Sequence, residues 1–153
     1  MLALKRPIMP TLFATVQYAS TGAHLPSRRQ LRKWAKAAIN VDTELTIRIV
    51  DAQESLELNS NYRGKDYATN VLTFPISEQP HLLGDIIICA PVVADEATAQ
   101  HKPLEAHYAH LTVHGVLHLQ GFDHDTEAQA ELMEGLEISI LAKLGYANPY
   151  LVI

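Results

Sequence analysis

Apolar and polar residues alternate with a period of two along "TELTIRIV" (43–50), placing Leu45, Ile47 and Ile49 on one face and Glu44, Thr46 and Arg48 on the other. That pattern predicts a half-buried strand. "LFATVQYAS" (12–20), with its β-branched and aromatic residues, predicts another strand before it. Between the two, "LPSRRQLRKWAKAAIN" sets Leu31, Trp34, Ala35 and Ala38 at helical spacing behind Ser27, a residue type that caps helix N-termini. "DAQESLELNSNYR" opens on an acidic cap and predicts a short helix from about Ala52 to Ser60. Two strands follow, "NVLTFPI" (70–76), which Pro75 ends or confines to a sheet edge, and the apolar "LLGDIIICA" (82–90).

The period then changes to helical and stays there. Pro91 sits where a first helical turn tolerates proline and opens "PVVADEATAQ". A long helical pattern runs from Pro103 to about Gln120, and Gly121 supplies its stop. "TEAQAELMEGLEISILAKLG" is a last amphipathic helix ending at Gly145. The order βαβαββααα predicts an α+β (mixed) fold, a small four-stranded sheet carrying about five helices, with no linker to divide residues 1–153 into more than one domain.

Composition changes little in this picture. Nearly half of the 153 residues are apolar and 19% are charged, a globular balance long enough for a conventional core. The single cysteine, Cys89, excludes an intramolecular disulfide. "MLALKRPIMP" lacks the uninterrupted apolar run of a secretory leader, and "IIICAPVVA" is too short to span a bilayer, so the expected location is the cytoplasm, with no membrane partner. A net charge of −5 argues mildly against nucleic acid, but its distribution matters more. Arg28, Arg29, Arg32, Lys33 and Lys36 cluster on one predicted helix and Arg63 and Lys65 in "YRGKD", while acids crowd Asp123 to Glu137.

"HGVLHLQGFDH" (114–124) carries the candidate chemistry. His114 and His118, four apart on a helix, present both imidazoles on one face, and Gly121 lets the chain reverse so that His124 supplies a third nitrogen. H-x3-H-x5-H with that glycine matches a metzincin-like three-histidine zinc site, which leaves a fourth position open and is of the catalytic type. His110, one turn before His114, is the better candidate to orient a ligand or contact substrate; for His107, an exposed histidine-rich turn is an equal reading. Gly115 stands where zinc proteases of the H-E-x-x-H type carry their general-base glutamate. It either opens space beside the metal or satisfies packing.

At these residues the chain resembles the YbeY endoribonuclease family. "HGVLHLQGFDH" is similar to its HGxLHLxGYDH signature, with Phe122 for the usual tyrosine. "NYRGKDYATNVLTFP" (61–75), "LGDIIIC" (83–89) and "LEISILAKLGYANPY" resemble further family segments, in order, over most of residues 59–150. The resemblance implies a metal-dependent, single-strand-specific endoribonuclease that matures the 3′ end of small-subunit (16S) ribosomal RNA and serves ribosome quality control, with zinc on His114, His118 and His124. It implies as partners the small ribosomal subunit and assembly factors such as the Era GTPase, and gives Arg63 a part in RNA cleavage or binding.

The residues themselves leave alternatives open. Arg63 can hold a phosphate bidentately or pair with Asp66, and Lys65 can contact the RNA backbone. Asp123 can orient a ligand or cap the turn, and Asp85 earns no catalytic role. No general base chooses between attack by water and attack by a ribose 2′-hydroxyl. Competing with the nuclease are a non-catalytic, zinc-stabilised assembly factor that binds RNA through Arg63, and a metallopeptidase, which Gly115 disfavours.

Overall fold

The computed structural model describes residues 9–151, so the reading of the extreme N-terminus as no leader falls largely outside the described residues. The four strands are β1 (Leu12–Ala19), β2 (Thr43–Val50), β3 (Val71–Ser77) and β4 (Leu82–Cys89). The helices are α1 (Arg28–Ala38), α2 (Ala52–Arg63), α3 (Ala90–Ala99), α4 (Leu104–Leu119) and α5 (Glu127–Leu144). The sheet order is β1-β2-β4-β3, with β1, β2 and β4 parallel and β3 antiparallel to β4. Among the described residues, no helix is long and apolar enough to cross a membrane.

Local chemistry accounts for most boundaries. Ser27 and Gln30 form a reciprocal capping box at the start of α1, and Thr126 and Gln129 repeat it at α5. Pro75 is accommodated because β3 is an edge strand, paired only with β4, and the register slips between Pro75 and Ser77. Two expectations shift. Helix α2 does not stop near Ser60 but continues to Arg63, where Gly64 turns left-handed (φ 67°) and its N–H and that of Lys65 close on Ser60 and Asn59 carbonyls. Asp51 occupies the N-cap position of α2 without capping it, because its carboxylate accepts instead from Ser20 Oγ at 2.5 Å and from Thr21.

Period-two alternation divides the sheet between two cores. Leu45, Ile47, Ile49, Ile86 and Ile88 face α1, α4 and α5, and form the larger cluster with Leu31, Trp34, Val113, Val116 and Leu141. Val50, Leu72, Ile87 and Cys89 face the other way, against Leu58 of α2. The lone thiol is thus the core residue its context suggested.

Helix α4 lies so close to the sheet that a β-carbon at Gly115 would meet Ile86 at 3.3 Å and Thr73 at 3.4 Å. Gly115 is therefore a packing glycine that faces the sheet, and it opens no space beside the histidines. Gly115→Ala, whose better helix propensity (about 1 kcal/mol) offsets the tight contact, is expected to unfold within about 1 kcal/mol of the parent. Gly115→Leu should lose about 1–3 kcal/mol through overpacking. Thermal unfolding checks both, and a leucine variant as stable as the parent would contradict the close approach.

Candidate metal centre

Helix α4 is buried on nearly every side, yet His114 and His118 on it remain half-exposed. The helix ends in a Schellman turn: Gly121 adopts φ 97°, its N–H reaches the His118 carbonyl at 3.0 Å, and the Phe122 N–H reaches that of Leu117 at 3.2 Å. This reversal returns the chain along α4 and brings His124 back to the helix. The three rings form a nearly equilateral triangle, with centroids 6.3 Å apart for His114 and His118, 5.7 Å for His114 and His124, and 6.1 Å for His118 and His124.

Hydrogen bonds decide which nitrogen each ring offers. His114 Nδ1 lies 3.1 Å from Glu137 Oε1, and His118 Nδ1 lies 3.0 Å from the Phe122 carbonyl oxygen. Both partners are acceptors, so each Nδ1 carries the proton and donates, leaving the Nε2 lone pair free on both rings. Three imidazoles grouped together, two of them oriented from behind by a carboxylate and a carbonyl, are the donor chemistry of a histidine-ligated transition metal. The donor type suits zinc, although as the side chains stand the nitrogens of the three rings are not all within 4.8 Å of one another. His124 also groups with Asp123 and Asp125, whose possible ligand atoms all lie within 4.8 Å of one another. Asp125 is exposed and Asp123 half-buried, and Asp123 Oδ1 is engaged by the His124 N–H at 2.8 Å, which holds its carboxyl below the ordinary value. The imidazole triangle differs from that set in having two rings held from behind, by the buried Glu137 carboxylate and by the half-buried Phe122 carbonyl.

Glu137 is the functional residue that the spacing of histidines does not reveal. It belongs to α5 and is 1% exposed. Its Oε1 accepts from His110 Nε2 at 2.7 Å as well as from His114, and its Oε2 accepts from the Tyr150 hydroxyl at 2.7 Å. Burial alone would raise the Glu137 carboxyl, but these three donors outweigh it and hold it down at about 2. The same contact, with burial, pushes the Tyr150 hydroxyl well above its usual range. A signal did exist in the sequence: Met133, Glu137 and Leu141 share one buried stripe of α5, where a glutamate is out of place unless partnered.

The remaining candidates are sorted by the fold. His110 donates Nε2–H to the carboxylate that orients His114, and so sits one group away from the triangle. His107 is 4% exposed and 2.9 Å from Glu96, which overturns the reading of an exposed histidine-rich turn. Arg63 and Lys65 are exposed at the end of α2, and among the described residues Arg63 makes no ion pair, with Asp66 or otherwise. Tyr62 packs edge-on against Phe74 of β3. Because Phe74 and Thr73 are neighbours on opposite faces of β3, α2 and Arg63 lie on one side of that strand and α4 with the histidines on the other. Asp85 alternates with Ile86 and shares the α2 face, where burial raises its carboxyl; it takes no part in the triangle.

Comparison with known proteins follows the same residues. The family described as Endoribonuclease YbeY matches residues 19–145. The Endoribonuclease YbeY of Methylobacillus flagellatus is 62% identical over 142 residues, covering 93% of this chain and 95% of that protein. That of Nitrosomonas europaea is 53% identical, covering 92% and 86%. A solution structure from Thermotoga maritima shares the fold with a TM-score of 0.57, at 24% identity over 91% of this chain and 99% of that one.

Removing the shared carboxylate should be costly even without metal. Glu137→Ala leaves the His110 and His114 N–H groups and the Tyr150 hydroxyl without their acceptor, and is expected to lower stability by about 2 kcal/mol or more. In 15N NMR spectra of the metal-free parent, His114 should be the Nδ1–H tautomer, and this preference should vanish in the variant.

Proposed function

The chain belongs to the YbeY endoribonuclease family, and from that premise we propose that it is a zinc-dependent endoribonuclease that cuts single-stranded RNA. The observation that carries the reading is the triangle of His114, His118 and His124, with the two helical rings turned by their Nδ1 hydrogen bonds to offer Nε2. Zinc bound there supplies a Lewis acid for a phosphoryl oxygen and for the charge that develops in phosphodiester cleavage. The protein's part is to hold its ligands before substrate arrives. Glu137 orients His114, and the Phe122 carbonyl orients His118.

Glu137 is a positioning residue. All three of its hydrogen-bond donors come from protein, it is buried, and its low pKa leaves it a weak base, so it is poorly suited to take a proton from a nucleophile. Arg63 supplies the complementary charge: solvent-exposed and, among the described residues, free of ion pairs, its guanidinium can hold a phosphate through two parallel N–H donors, with Lys65 beside it on the RNA backbone. A strand that engages both Arg63 and the histidines must pass around edge strand β3. His110 would sense substrate only through the Glu137 network or by direct contact at its half-exposed edge.

The proposed setting is the cytoplasm, one domain acting on small-subunit ribosomal RNA at its 3′ end and in ribosome quality control, with the small subunit and the Era GTPase as partners. Family membership supports this setting. The placement of Arg63 across β3 from the histidines favours one second reading, a zinc-stabilised assembly factor that binds RNA without cutting it. A peptidase is disfavoured further, because a glutamate at position 115 would run into Ile86 and Thr73.

Cleavage of a single-stranded RNA by metal-loaded protein separates the readings. Arg63→Ala is expected to keep its metal and lose roughly 10²–10³ in rate, the cost of removing one charge-stabilising group. His118→Ala should lose both metal, by elemental analysis, and activity. Parent-like cutting by both variants would assign the activity to a contaminant and leave the assembly reading. A 2′,3′-cyclic phosphate on the product marks attack by the ribose hydroxyl; its absence throughout the time course marks attack by water.

A further inference from the structure

The function proposed above leaves the basic face of α1 unused. At the sheet edge opposite β3, a groove of ≈ 620 Å³ runs between β1 and α1, lined by Leu12–Val16 and by Arg28, Arg32, Lys33 and Lys36. All four cations are exposed, α1 itself contains no acidic residue, and no carboxylate lines the groove, in a chain whose net charge is −5. Arg28, Arg32 and Lys36 are spaced by four, so they stand along one side of the helix at intervals of about 6 Å. That spacing suits a row of backbone phosphates on an extended strand.

Three of the cations are held in place. Arg32 Nε donates to the Ala14 carbonyl at 3.1 Å, leaving its terminal amino groups free, and Lys36 Nζ donates to the Pro10 carbonyl. These bonds occupy carbonyls beside and along the outer edge of β1, which disfavours docking of a further β-strand there. Arg28 is fixed over the Tyr18 ring, 4.8 Å from its centre. Phe13 is 69% exposed, but it alternates with Leu12 and Ala14, which pack toward α1, so its ring stands on the opposite face of β1 from the groove. A row of ordered cations along an open groove is the electrostatic track that holds the backbone of a single strand without reading its sequence.

We infer that the groove between α1 and β1 is a second RNA-binding surface, which takes the single strand several nucleotides away from the cleaved bond, with phosphates on Arg28, Arg32, Lys33 and Lys36. α1 packs directly against α4, but the groove lies at the outer edge of β1 and the histidines on the β3 side of α4, so they are separated by at least the three strand spacings of the sheet, roughly 14 Å, a span that several nucleotides cover. The inference rests on RNA being the substrate. Its consequence is that long RNAs bind better than short ones.

The test compares a short oligonucleotide of about four residues with one of about 20, which alone is long enough to occupy both surfaces, across a salt series. In the full chain carrying Arg28→Ala, Lys33→Ala and Lys36→Ala, the dissociation constant for the long RNA should rise about tenfold or more. The salt slope should fall by about 2 in magnitude, at about 0.7 per lost phosphate contact. Cleavage of the short RNA and the melting temperature should not change. Lys33→Glu alone, whose parent side chain makes no hydrogen bond among the described residues, repeats the test should the triple variant fold poorly. Unchanged binding and salt slope for the long RNA overturn the inference, whether or not the protein cuts RNA, and leave the groove to an acidic protein partner. Groove-dependent binding by a parent that cuts nothing sustains the inference and removes the nuclease reading instead, because binding and cleavage are read separately.

Discussion

Helix α4 has to satisfy an apolar sheet on one side and a polar cluster on the other, and the rest of the molecule is arranged around that demand. Its sheet side is packed to contact, with Gly115 against Ile86 and Thr73. Its flanks are covered by α1, α3 and α5, which bury Tyr108, Val113, Val116 and Leu117. A stripe running through His110, His114 and His118 is left partly open, so the imidazoles emerge from a helix packed on the sheet and on three other helices. Ligands on a buried helix lose little further entropy when a metal arrives, which is the physical advantage of building a site there.

That stripe is polar where a core would otherwise close, and Glu137 makes this tolerable. A buried carboxylate is expensive alone, and three donors from two other segments compensate it. The same bonds join α4 to α5 and, through Tyr150, to the chain beyond α5, so one side chain couples the orientation of a candidate ligand to the seating of the C-terminal segment. Lys102 adds a second tie by donating to the Pro149 carbonyl. The edges of the sheet complete the division of labour. β3 is shared between the histidine side and the Arg63 side, while β1 is flanked by the cations of α1.

Local rules sufficed for the elements and for the triangle. Periodicity and caps placed nearly every strand and helix within a residue or two, because Ser27, Thr126, Gly121 and Gly145 each act on the backbone within a few positions of themselves. The three histidines were legible for the same reason: a four-residue helical spacing and a glycine reversal are short-range geometry. Where the reading slipped, at the end of α2, the stop was also local. Gly64, four residues beyond the expected end, was the signal that outranked the polar run before it.

What the sequence by itself determined, then, was the element order, the α+β class and the convergence of His114, His118 and His124, since all of these follow from residues close in the chain. Only the tertiary structure decided which way Gly115 faces, that His107 is buried against Glu96, that Glu137 rather than an adjacent residue stands behind His114, and that Arg63 lies across β3 from the histidines. Each of these depends on how one helix is rotated against a sheet or another helix. That rotation is set by packing summed over the whole core, which no local pattern encodes.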